Sequence, residues 1–229
     1  PQIVIPTTYA GSEVTPILGQ TENGVKTTLK SAKVLPEVVI YDPALTTSLP
    51  PVMTATSGLN AMAHAVEALY AKDRDPISTL TAAEGLRAMV RALPAIQENP
   101  ADAEARADAL YGAWLCGTVL GSVGMALHHK LCHTLGGSFD LPHAETHAVI
   151  LPHAVAFNAD EVLDLLRPLA VALGVEKPGL GLFEFARSIG APTTLKELGM
   201  AEEGIEIAAN LATENPYWNP RKIERPQIR

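Results

Sequence analysis

Ala113-Trp114-Leu115-Cys116-Gly117-Thr118-Val119-Leu120-Gly121-Ser122-Val123-Gly124-Met125-Ala126-Leu127 carries no charged side chain. A helix apolar on every face belongs at the centre of a bundle, so this run predicts a mainly α fold. It lies within a longer helical stretch, about Ala103 to Gly137, that reads as one or two helices. Upstream, Val52 to Tyr70 is long and mostly apolar behind Pro50-Pro51. Thr79 to Leu93 predicts a second helix ended by Pro94, because proline removes a helical donor. Downstream, Pro142 sets up a helix opening at His143. Shorter helices are expected at Val162–Leu173, Leu182–Ile189, Leu195–Leu198 and Glu202–Thr213.

The first fifty residues read differently. Ile3 to Ile5 is a short apolar run, followed by a loop rich in hydroxyls, Thr7-Thr8-Tyr9-Ala10-Gly11-Ser12-Glu13. Two strand candidates flank Glu22-Asn23-Gly24, where Asn-Gly suits a type I′ hairpin. Val38 to Tyr41 reads as a last strand, closed by Asp42-Pro43. The division expected is residues 1–50, β-rich, and residues 51–229, all helical. The chain starts on Pro1 and a strand-like run, and stops at Arg229 just after Pro226 opens another helical turn. It therefore reads as a piece of a longer protein.

Composition narrows the partners. The net charge is −8 over 229 residues and no basic run exceeds two residues, which argues against nucleic acid and anionic membranes. No apolar stretch has the length of a membrane span, and no signal peptide is visible. Hydrophobic residues make up 47% and aromatics 5%, the profile of an aliphatic, Ala-rich globule. Cys116 and Cys132 sit in apolar helical surroundings and read as buried free thiols, with a cytoplasmic location as the default.

The residues that carry chemistry are histidines. Asn60-x3-His64 and His129-x3-His133 each place two polar side chains on one helical face, and His143 follows ten residues after His133. Five of the seven histidines fall between His128 and His147. Converging imidazoles suit a divalent cation or a polar reaction pocket. Lys130 lies among them, either as a solvated helical lysine or with its amine turned to a cavity. Gly136-Gly137 and Pro142 are explained by ending one helix and starting the next, whereas nothing structural requires His143. The loop Thr7 to Glu13, following a strand, is of a kind that approaches a nucleotide or phosphate closely.

These stretches resemble the iron-containing alcohol dehydrogenase family, within the dehydroquinate synthase-like fold. The resemblance is carried by Ile5-Pro6-Thr7-Thr8, Gly11-Ser12-Glu13-Val14-Thr15, Asp42-Pro43-Ala44-Leu45-Thr46 and Gly58-Leu59-Asn60-Ala61-Met62-Ala63-His64-Ala65-Val66-Glu67. It continues through His129-x3-His133-x-Leu135-Gly136, Pro142-His143 and Leu151-Pro152-His153. It implies a helical-bundle C-terminal domain that carries the metal-site positions, preceded by the β-rich end of an α/β nucleotide-binding domain. The upstream part of that domain, with its glycine-rich phosphate clamp and ribose-reading residues, lies outside this chain. Homodimerisation is common in the family and is expected here.

Within the family, the chain is most similar to the branch that reduces maleylacetate. The segments that carry this are Tyr111 to Gly117, His128-His129-Lys130-Leu131-Cys132-His133-Thr134-Leu135-Gly136-Gly137 and Asn215-Pro216-Tyr217-Trp218-Asn219-Pro220-Arg221. That similarity implies reduction of the carbon–carbon double bond of a small anionic substrate, giving 3-oxoadipate, with NADH or NADPH. Thr7, Thr8 and Ser12 match the stretch lining the nicotinamide, although the family loop is one residue longer. His64, His129, His133, His143 and Lys130 are the expected catalytic residues. The family's metal ligands map to Asn60, His64, His129 and His143. Metal-dependent members carry Asp where this chain has Asn60, which leaves a vestigial site and makes iron or zinc doubtful. Hydride transfer without metal requires other donors at the enolate oxygen, namely His129, His133 or Lys130, and a proton from His133 or His143. The alternatives are a metal-dependent alcohol dehydrogenase of the same fold and a non-catalytic helical module.

Overall fold

Pro50 and Pro51 open the first helix, α1 (Pro51–Tyr70), with proline at a position whose N–H would have no partner. In this computed structural model, which describes residues 2–22, 25–214 and 216–229, every residue of α1 from Thr54 to Tyr70 is buried. The central helix of the bundle is therefore α1, not the uncharged run from Ala113. The reason is size. α1 is built largely from Ala, Ser, Thr and Gly, so neighbouring helices close in on all its sides. The uncharged run keeps one open face, with Tyr111 and Trp114 each more than two-fifths exposed.

Around α1 pack α2 (Pro76–Glu98), α3 (Ala103–Ser122) and α5 (His143–Val162), with α4 (Leu127–Phe139) against α5. The stretch from Ala103 is two helices, bent by 95° at the break between Ser122 and Leu127. No single helix among the described residues is long and apolar enough to cross a membrane. Next come α6 (Arg167–Leu173), α7 (Pro178–Ser188), α8 (Glu203–Thr213) and the short α9 (Arg225–Ile228).

Several helix boundaries differ from the sequence reading, α7 among them, which starts at Pro178 and not at Leu182. α2 starts three residues earlier, because Asp75 and Ser78 form a reciprocal capping box: the Asp75 carboxylate accepts from Ser78 N at 2.7 Å and Ser78 Oγ accepts from Asp75 N at 2.9 Å. It also continues past Pro94, which falls in the final turns, and still closes with Asn99 N donating to Ala95 O at 2.8 Å. The predicted Val162–Leu173 helix is the end of α5 followed by α6, restarted by Pro168. Leu195–Leu198 forms turns only, closed by Met200 N donating to Leu195 O at 3.0 Å.

The strands are few. β1 (Ile3–Val4) pairs in parallel with β4 (Val38–Val39), and β2 (Ile17–Glu22) pairs antiparallel with β3 (Val25–Lys30), Ile17 opposite Lys30. The hairpin tip at Asn23-Gly24 lies outside the described residues.

The loop from Thr7 to Glu13 is fastened to the bundle by two devices. Arg106 on α3 is fully buried. It donates to Tyr9 Oη at 2.9 Å, to the Pro100 carbonyl at 2.8 Å and to the carbonyl of Thr46, and Tyr9 Oη donates to Thr46 Oγ1 at 3.0 Å. Beside it, Gly11 takes a left-handed conformation, φ 77°, and its carbonyl lies against α3. A β-carbon at Gly117 would come within 1.9 Å of the Gly11 oxygen. The Gly117→Ala variant is expected to lose about 1–3 kcal/mol of stability through overpacking. A urea midpoint equal to that of the parent chain would show that the loop does not rest on α3 in this way.

Candidate active site

Asn60, His64 and Glu67 project from successive turns of α1, and His128, His129 and His133 from α4. The two helices are joined by the Glu67 carboxylate, which is fully buried. It accepts from Ala126 N at 2.7 Å and His128 N at 2.7 Å, and it contacts His129 Nδ1 at 2.7 Å. Because an ionised carboxylate only accepts, it fixes the proton on Nδ1 and leaves His129 Nε2 facing His64 Nδ1, 2.9 Å away. A hydrogen bond to the backbone of Ala10 also reaches the His64 ring. A row therefore runs from Glu67 through His129 and His64 to the loop that carries Thr7 and Thr8.

The sequence-predicted residues fall into three groups. Asn60, His64 and His129 are buried together, and the Asn60 Oδ1 atom has no hydrogen-bond partner among the described residues. His143, exposed at the start of α5, reaches the cluster through His147, with ring centroids 4.4 Å apart. His133 and Lys130 form the outer edge. His133 Nδ1 is 3.0 Å from Tyr217 Oη, and Lys130 Nζ stands 5.9 Å from the centre of the Tyr217 ring. Tyr217 is held there because Asn219 pairs reciprocally with Asn158 of α5, at 2.7 and 2.9 Å. In the loop, Thr7 and Ser12 are exposed and Thr8 is half-buried. The loop meets α1 where Ser57 Oγ accepts from Tyr9 N at 3.4 Å.

Sequence reasoning did not single out Glu67, His128, His147 or Tyr217. His64-x2-Glu67 is a helical i,i+3 pair, the one local sign that this charge shares a face with the histidine. His128 and His147 face each other, Nε2 to Nδ1 at 2.9 Å, inside the cluster. A cavity of about 730 Å³ lies on another side of α4, lined by Leu131, Leu135, Ile150 and Met200 among others, and by none of the cluster's histidines.

The electrostatics follow from packing. Burial, and then the neighbouring imidazoles, hold the pKa of His64, His128 and His147 well below the ordinary 6.5. All three are neutral at pH 7. Glu13, on the short 3₁₀ turn after Gly11, is pushed up by burial against the hydrogen bond it accepts from Tyr41 Oη at 2.9 Å.

This geometry meets the comparisons with known proteins. Residues 54–229 match the model of the Fe-containing alcohol dehydrogenase family, C-terminal part. The chain belongs to the Fe-containing alcohol dehydrogenase family. It is 64% identical over all 229 residues to a maleylacetate reductase of Rhizobium sp. (strain MTP-10005), and 60% identical to one of Burkholderia cepacia. The crystal structure of maleylacetate reductase from Agrobacterium tumefaciens superposes with a TM-score of 0.96 at 64% identity, covering 99% of this chain. The chain spans 65% of the length of each of these three relatives. The mainly helical C-terminal architecture expected from the sequence is thus that of the family.

Neutral buried histidines make stability depend on pH in one direction. Their folded pKa values are depressed, so below about 6.5 the unfolded chain takes up protons that the folded chain refuses. Stability from this source is complete above about pH 6.5 and falls as pH drops, by up to about 1.4 kcal/mol per pH unit for each histidine. Urea midpoints measured from pH 8 down to 5 should be level first and then decline; a midpoint unchanged at the acidic end would contradict the neutral cluster.

Proposed function

We propose that the full-length protein reduces the carbon–carbon double bond of maleylacetate to give 3-oxoadipate, using NADH or NADPH, and that this chain supplies its catalytic helical domain. The observation that carries the reading is the 64% identity to a maleylacetate reductase over the whole chain, together with the histidine cluster at the family's site. Residues 1–50 then form the end of the nucleotide-binding domain and residues 51–229 the helical domain. A homodimer in the cytoplasm is the accompanying expectation.

Nicotinamide supplies the hydride when bound. Thr7, Thr8 and Ser12 offer small hydroxyl side chains on a loop held by Tyr9 and Gly11, which suits the carboxamide edge of such a ring. Hydride arriving at the alkene carbon remote from the ketone places negative charge on the ketone oxygen, and a proton must then reach the carbon beside it. His129, whose Nδ1 proton is held by Glu67, would donate toward that oxygen from Nε2 once an anionic substrate has drawn a second proton onto the ring. His133, Lys130 and Tyr217 line the outer edge, where the substrate carboxylates would be held. His143, exposed and next to His147, or His133 would deliver the proton.

The family's metal position does not fit iron or zinc well in this chain. Asn60, His64, His129 and His143 supply a neutral amide and three imidazoles, so the first sphere contributes no negative charge. His64 Nδ1 and His129 Nε2 are also hydrogen-bonded to each other, and Glu67 is occupied by His129 and two backbone amides. We therefore assign the reaction to organic donors, not to a metal.

Two measurements test this. Maleylacetate-dependent oxidation of NADH or NADPH should persist in full-length protein after exhaustive chelation, and Asn60→Asp should raise Zn²⁺ affinity about tenfold or more. Activity abolished by chelation and restored by Fe²⁺ or Zn²⁺ would favour a metal-dependent enzyme instead. Separately, a dianionic substrate entering a pocket of neutral imidazoles should raise their pKa. Calorimetry in buffers of different ionisation enthalpy is expected to show proton uptake on binding between about pH 6 and 8, and its absence would rule out imidazolium as the donor.

A further inference from the structure

Behind the Glu67–His129–His64 row, three more donors converge that the reaction above does not use. His128 and Cys132 stand one turn apart on α4, and His147 comes from the second turn of α5. His128 Nε2 is 2.9 Å from His147 Nδ1, and Cys132 Sγ is 3.6 Å from His128 Nε2. The three ligand atoms lie within 4.8 Å of one another. All three side chains are buried, none more than 1% exposed.

Hydrogen bonding alone serves this group poorly. Two neutral imidazoles facing each other share one proton, and a thiol is a weak partner for either. The outer atoms, His128 Nδ1 and His147 Nε2, have no hydrogen-bond partner among the described residues. As ligands, the inner atoms His128 Nε2, His147 Nδ1 and Cys132 Sγ are well matched, since thiolate and imidazole are the donors preferred by zinc and by thiophilic ions of similar size. Zinc bonds of about 2.0–2.1 Å to nitrogen and about 2.3 Å to sulfur make tetrahedral edges of about 3.3 Å between nitrogens and about 3.6 Å between nitrogen and sulfur. One of the two nitrogen–sulfur edges, between Cys132 and His128, is already present, the Cys132–His147 edge lies within 4.8 Å, and the two rings need to part by roughly 0.4 Å to reach the nitrogen–nitrogen edge.

We propose that His128, Cys132 and His147 form a binding site for a thiophilic divalent cation, Zn²⁺ or its Co²⁺ surrogate, distinct from the family's metal position. The charge argument that disfavours an ion at Asn60 favours one here. Binding releases the thiol proton to solvent, and the thiolate supplies the negative charge that the amide does not. The protein supplies three ligands to this site, and the family's position lies beside it, the His129 and His147 ring centroids being 5.2 Å apart.

The test uses full-length protein produced with Co²⁺ in place of zinc. A thiolate-to-Co²⁺ charge-transfer band in the near ultraviolet, at one ion per chain, is expected. It should disappear in Cys132→Ser and persist in His143→Ala, which removes a donor of the family's position. No band, or a band that survives Cys132→Ser, would overturn the proposal. X-ray absorption on zinc-loaded parent protein needs no variant to fold: one sulfur and two imidazole nitrogens are expected, and a sphere without sulfur would overturn the assignment.

Discussion

The arrangement of the site depends on one buried charge. Glu67 is a carboxylate with no exposure to water, and such a group persists only when its oxygens are fully engaged. Three partners engage it, and two of them are backbone N–H groups at the start of α4. α4 has no capping side chain of its own, because its N-cap is Ala126. Its first amides would be buried donors without acceptors. Glu67 supplies the missing acceptor from α1, at the end of the helix dipole where negative charge is stabilised. Charged hydrogen bonds of this kind contribute about 1.5–3 kcal/mol each. The same oxygens then determine which nitrogen of His129 carries its proton, so the helix cap and the geometry of the histidine row are set by one residue.

The second constraint is the fastening of the Thr7–Glu13 loop. Arg106, buried under it, directs its guanidinium to backbone carbonyls and to Tyr9 Oη, and none of its partners is a carboxylate. A buried cation held by carbonyl dipoles is tolerable only if the donors of its planar fork are engaged. That requirement locks the relative placement of α3, the 3₁₀ turn at Pro43–Thr46 and Tyr9. The contact between Gly11 and Gly117 closes the same joint from the other side. The loop is thus positioned by the bundle's interior, although its own sequence is small and polar.

Much of this was legible beforehand, for identifiable reasons. Long helices announce themselves by apolar runs and proline starts, and α1, α3 and α5 follow those signals. The centre of the bundle was misplaced, because absence of charge was read as burial. Trp114 and Tyr111 leave α3 half open, while the small side chains of α1 let it be covered completely. α2 began early because the Asp75–Ser78 box is a capping signal that apolar periodicity does not register. Asn60, His64, His129 and His143 were found by spacing and resemblance, and α1, α4 and α5 bring them to one region. Glu67 and His147 were missed because a side chain's partner across two helices leaves no mark in local sequence. Tyr217 lies in the Asn215–Arg221 segment that carries the resemblance, but its meeting with His133 depends on the Asn158–Asn219 pair, 61 residues apart.

The pocket can be understood as a problem of charge in a confined volume. Six imidazoles, those of His64, His128, His129, His133, His143 and His147, form a chain of contacts, and the innermost ones are kept neutral by burial and by one another. Among the described residues, Glu67 is the carboxylate that touches this chain directly, through His129 Nδ1 at 2.7 Å. Asn60 in place of an aspartate removes a second negative charge from the inner wall. The wall that remains is poor in anions and rich in imidazoles. The neutrality of the innermost imidazoles follows from their depth in the bundle.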